Sequence, residues 1–128
     1  MIGVIAPGVA LGYAQRDMAP SNIPIAEALL LDSLVTPIVH GTTSRVLGRG
    51  DGGSLTLFAF DAGESLSEHT SSFEAFAMVL DGALSITING ASVRATPGTI
   101  VRLPAAVPHA VDAAEPARML LVLLKGAG

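Results

Sequence analysis

The chain has 128 residues, half of them hydrophobic and 14% charged, with a net charge of −4 and no cysteine. That is the size of one domain, too apolar to stay disordered and too short to house a second catalytic module. Five aromatics and no basic cluster beyond Arg45 and Arg49 exclude the electrostatic footprint of a nucleic-acid binder.

No apolar stretch reaches the roughly 18 unbroken residues of a transmembrane helix, so no membrane partner is expected. The apolar opening Met1 to Ala14 has no basic n-region and carries Pro7, Gly8 and Gly12, which argues against a secretory signal and leaves a cytoplasmic location as the expectation. A high apolar fraction without a membrane span implies a hidden surface. A homodimer closing over an outwardly apolar strand face is the natural way to hide it.

In chain order, the N-terminal third gives mixed signals. Ser21-Asn22 with Pro24 suits a short helix through Leu31, while Ile23 and Ile25 suit a strand equally well. Residues 1–42 are therefore expected to form an irregular arm holding an edge strand, a short helix or both, with a helical turn near Asp32 to Val35, and to serve as a dimer contact. From Thr43 onward, short β-rich runs alternate with turn signals every eight to twelve residues, which predicts an all-β barrel over residues 43–125.

The predicted strands are Thr43–Leu47 and Ser54–Phe60, then Phe73–Leu80 after a polar loop from Glu64 to Ser72. Leu84–Ile88 and Ser92–Thr96 flank Asn89-Gly90, a pair that tolerates the positive φ angles of a type I′ hairpin turn. Thr99–Leu103 follows Pro97-Gly98. The stiff connector Pro104 to Pro108 delivers His109 and Val111 into another strand, and Met119–Leu124 reads as a strand buried on both faces.

Two stretches between Gly63 and Ala113 resemble the paired signatures of the cupin superfamily. The first signature runs glycine, five residues, histidine, one residue, histidine, three or four residues, glutamate, six residues, glycine; its frame falls on Gly63, His69, Ser71, Ala75 and Gly82. The second runs glycine, five residues, proline, one residue, glycine, two residues, histidine, three residues, asparagine; it falls on Gly98, Pro104, Ala106, His109 and Ala113. Six anchors match, and 15 residues separate Gly82 from Gly98, a short spacing like that of small single-domain cupins. The resemblance implies a cupin barrel, that is, a double-stranded β-helix of jelly-roll type.

In that family the histidines and the glutamate converge on a divalent metal. The resemblance thus nominates His69 and His109 as ligands of Ni, Zn, Fe or Mn, with Ser71 and Ala75 standing where a second histidine and the carboxylate belong. Two imidazoles alone make a weak metal site. A third ligand is sought in Glu64, Glu68, Glu74 or His40, although strand parity turns Glu74 outward when Ala75 faces in, unless a bulge lies near Phe73.

The same parity places Ala75, Ala77 and Val79 inward and Phe76, Met78 and Leu80 outward. The expected pocket is accordingly small-walled and apolar, lined by Ser71, Ala75, Ala77 and Val79. Two functional classes follow: a small-molecule-binding barrel with a weak metal site at the two histidines, or a metal-free ligand binder or sensor without enzymatic activity. A purely structural role for the dimer is the third. No catalytic residue, reaction or substrate is assigned by the sequence, because this fold hosts many chemistries.

Overall fold

The computed structural model describes residues 21–126. Among these residues nine strands carry the fold: β1 (Thr42–Gly50), β2 (Gly53–Phe60), β3 (Ser65–His69), β4 (Glu74–Asp81), β5 (Leu84–Ile88), β6 (Ala91–Ala95), β7 (Ile100–Leu103), β8 (His109–Asp112) and β9 (Ala117–Leu124). They form two facing sheets, one in the order β1-β2-β9-β4-β7 and the other β3-β8-β5-β6, with every ladder antiparallel. The all-β, jelly-roll-like expectation is what the chain adopts.

Alternation along the strands explains why the sheets face each other. In β4, Ala75, Ala77 and Val79 are buried while Phe76, Met78 and Leu80 are only partly so. The buried set joins Phe60, Leu84, Ile86, Leu103, Val111 and Met119 in the core between the sheets. β9 lies between β2 and β4 and contributes apolar side chains to both faces of its sheet, in keeping with its continuous apolar run.

The β5–β6 hairpin forms as read. Ile88 opposes Ala91 across a two-residue turn in which Asn89 and Gly90 have φ of 50° and 84°.

Three local expectations need correction. The stretch Glu64 to Ser72 is not all loop, since Ser65–His69 pairs with β8 as β3. Its only aliphatic side chain is Leu66, too little apolar alternation to announce a strand. Among the described residues the arm contains no edge strand and no helix over 24–31; it has one 3-10 turn, Leu31–Ser33, slightly earlier than expected. Ala26, with φ of 62°, breaks any regular element there. The expectations for residues 1–20 lie outside the described residues.

The arm also explains part of the outward apolar face. Leu34 and Val35 pack on Leu57, Ala59, Met78, Leu80 and Leu120 on the outside of the larger sheet. Two arginines fasten this contact through the arm's carbonyls: Arg45 donates to Leu34 at 3.2 Å, and Arg118 donates to Val35 at 3.3 Å while pairing with Asp81 at 2.7 Å. Among the described residues no helix is long and apolar enough to cross a membrane.

Candidate functional site

His69 and His109 meet because β3 is bulged. Leu66 opposes Val111 and His69 opposes His109, so three steps along β3 match two along β8. In a regular strand, residues three apart point to opposite faces. The extra residue restores parity, so that Leu66 and His69 both turn toward the barrel interior. The two imidazoles sit edge to face, with ring centroids 4.4 Å apart. His109 is buried and His69 is exposed at the barrel mouth.

Each ring is pinned in the same way. His69 Nδ1 lies 2.9 Å from the Ser67 carbonyl, and His109 Nδ1 lies 3.2 Å from the Val107 carbonyl. A carbonyl oxygen only accepts, so Nδ1 donates in both rings and, in the neutral imidazole, Nε2 carries the lone pair. Burial holds the His109 pKa below the ordinary 6.5; the Val107 carbonyl pulls it back, and the neighbouring His69 lowers it slightly. His109 is accordingly neutral at physiological pH.

Beside the rings lies a cavity of about 240 Å³ lined by Phe58, Leu66, His69, Leu103, His109, Val111, Met119 and Leu121. Both sheets contribute, and among the described residues the two imidazoles are the polar side chains that line it. The residues expected from parity lie elsewhere in the interior. Ala75, Ala77 and Val79 do point inward, but they are packed in the core and are not in this wall.

Ser71 is also absent from the wall. Its Oγ accepts from Phe73 N–H and its carbonyl accepts from Ala106 N–H at 2.7 Å, so it shapes the turn between β3 and β4 and ties it to the connector before β8. The real wall was missed because large residues alternating on β2, β8 and β9 look like ordinary core. The bulge that brings His69 beside them is invisible in sequence.

The search for a third metal ligand ends differently for each candidate. Glu74 is taken by Arg102, whose Nε donates to it, and by Ala105 N–H at 3.2 Å; these contacts, the arginine foremost, hold its carboxyl below the usual range. His40, whose backbone N–H donates to Asp61, and Glu64, whose carbonyl accepts from Ala113 N–H at 2.9 Å, do not line the cavity. Glu68 is exposed beside His69. Among the described residues no group of three His, Cys, Asp or Glu is placed to hold an ion. Open catalytic zinc sites use about three protein ligands, so this donor set does not fit a tightly held divalent metal.

The family model described as Cupin domain matches residues 56–123, which span the site and most of both sheets. The chain belongs to the cupin family. Among solved structures, it is similar to a conserved protein of unknown function from Streptococcus pyogenes, with 32% identity and a TM-score of 0.80 over 88% of this chain and 100% of the other. A cupin superfamily protein from Desulfitobacterium hafniense is 27% identical, with a TM-score of 0.78 over 83% of this chain and 97% of that one.

A cupin 2 conserved barrel domain protein from Leptotrichia buccalis is 33% identical with a TM-score of 0.71, covering 74% of this cupin and 46% of the longer chain. No curated protein matches.

Proposed function

We propose that this cupin binds a small molecule in the cavity at His69 and His109 without a resident metal. The observation that carries the reading is the composition of the wall: six apolar side chains and two imidazoles, with no group of three metal donors among the described residues. A pocket that is mostly apolar with a few convergent polar groups is the usual form of a small-molecule site. The protein acts in the cytoplasm as a ligand binder or sensor, and as a homodimer through the part of the larger sheet's outer face that the arm leaves open.

The test is a thermal-shift screen of small aromatic fragments against chelator-treated protein, alongside elemental analysis of protein purified without chelator. Fragments at about 100 times their Kd should add roughly 2.7 kcal/mol of stability to the metal-free protein. Leu121→Trp, which fills the cavity, should abolish the response. Stoichiometric Ni, Zn, Fe or Mn that survives dialysis and is lost in His69→Ala would replace this reading with the metal-site one.

A further inference from the structure

We propose that the cavity selects small, largely apolar molecules carrying one hydroxyl donor, such as phenols or compact alcohols, over anions and over ethers of the same shape. This rests on the cavity being the ligand site and adds the chemistry of what it accepts.

The selection follows from which ring nitrogens are already used. Both Nδ1–H groups are spent on the Ser67 and Val107 carbonyls. Among the described residues the hydrogen bonds of both rings are made at Nδ1, so what each ring can still offer at Nε2 is an acceptor. A hydroxyl can donate to such a nitrogen; an ether oxygen or a carboxylate cannot.

No other lining side chain supplies a donor, since Phe58, Leu66, Leu103, Val111, Met119 and Leu121 are apolar. An anion entering this wall would lose part of its hydration and meet two lone pairs instead of donors.

Size narrows the class further. An apolar cavity of about 150 Å³ is enough for benzene, so about 240 Å³ holds a substituted single ring and little more. The donor belongs at the mouth end, where the imidazoles stand, with the apolar body against Phe58, Leu103, Met119 and Leu121.

Four probes of nearly one shape decide the matter by calorimetric titration of chelator-treated, unmodified protein: phenol, anisole, toluene and benzoate. Phenol is expected to bind about tenfold more tightly than anisole or toluene, the worth of one net hydrogen bond, with benzoate weakest. Equal binding of phenol and toluene would overturn the donor selection while leaving the cavity as the ligand site. Benzoate binding tightest would overturn it in favour of charged imidazoles.

Failure of all four at millimolar concentration would remove the cavity reading itself and this inference with it. An independent check needs no ligand: ¹⁵N spectra of labelled histidine should show Nδ1 protonated and Nε2 unprotonated in both rings, and the reverse tautomer overturns the proposal.

Discussion

Ala106 shows how a departure from the family pattern is written into the backbone. It stands where the second cupin signature carries glycine, and its φ is 65°. A side chain in the left-handed region costs roughly 1–2 kcal/mol, whereas glycine adopts it freely but loses about 0.5–1 kcal/mol more in chain entropy on folding. Ala106→Gly should therefore raise unfolding free energy by about 0.5–1 kcal/mol in urea titrations, with the cavity unchanged. A destabilised variant would mean that the methyl group makes a contact worth more than the strain.

His109 supplies the pH dependence at the same scale. Its folded pKa lies below the ordinary 6.5, so between those two values the unfolded chain binds more protons than the native one. Stability is full above pH 6.5 and falls as the pH drops toward the folded value. Glu74 adds a second window, because its pairing with Arg102 and Ala105 stabilises above the ordinary 4.5 and is lost as the pH falls through its lower folded value. Thermal unfolding followed from pH 7.5 to 4 should show the first loss in the unmodified protein and its absence in His109→Gln. A slope unchanged by that substitution would assign the acid sensitivity elsewhere.

Among the elements, turns and hairpins were the legible part, because their chemistry is local. Gly63, Gly82 and Gly98 all have positive φ, as the signature positions require, but for unequal reasons. At Gly63 a Cβ would meet nothing within 4 Å, so only the backbone conformation favours glycine. At Gly82 it would collide with the Pro116 carbonyl and lie 2.8 Å from Ala117 Cα, where β4 turns beside the start of β9. Gly82→Ala should thus cost roughly 3 kcal/mol, and Gly63→Ala about 1 kcal/mol, by denaturant unfolding. Equal costs would show that Pro116 moves aside easily.

What sequence could not give at this scale was β3 and its bulge. The resemblance nominated His69 as inward-facing, yet Leu66 and His69 share the interior only because one residue is unpaired between them, and no residue type marks that place. The cavity wall followed the same logic. Parity put Ala75, Ala77 and Val79 inside correctly, but whether an inward residue faces a void or a neighbour depends on how two sheets close, a long-range outcome that no local pattern encodes. Glu74 was the opposite case: parity alone turned it outward, and the outer face is where Arg102 holds it.

At the scale of the whole molecule, the apolar composition is only partly accounted for by the arm. Leu34 and Val35 cover Met78, Leu80, Leu57 and Leu120, but the same outer face continues across the ladder pairs Leu55–Val122 and Val122–Phe76, with Ile100 opposite Met78 and Leu124 opposite Glu74. Ile100 is 59% exposed, and Leu55 and Leu124 about 40%. Scattered exposed leucines need no explanation, whereas a contiguous row on one sheet face marks a contact surface. The proposed homodimer would cover it with a second copy of the same face, since an isologous contact sets the same patch of both subunits together, and a stable dimer needs about 800 Å² from each partner.

The double variant Leu55→Lys, Ile100→Lys places like charges across such a contact, and each buried apolar anchor lost is worth on the order of 2 kcal/mol. Sedimentation velocity at high micromolar concentration should show a dimer for the unmodified protein and a monomer for the variant. Neither residue lines the cavity, so fragment binding should survive in the monomer. A monomeric unmodified protein at that concentration would mean that this apolar row is covered by something other than a second copy.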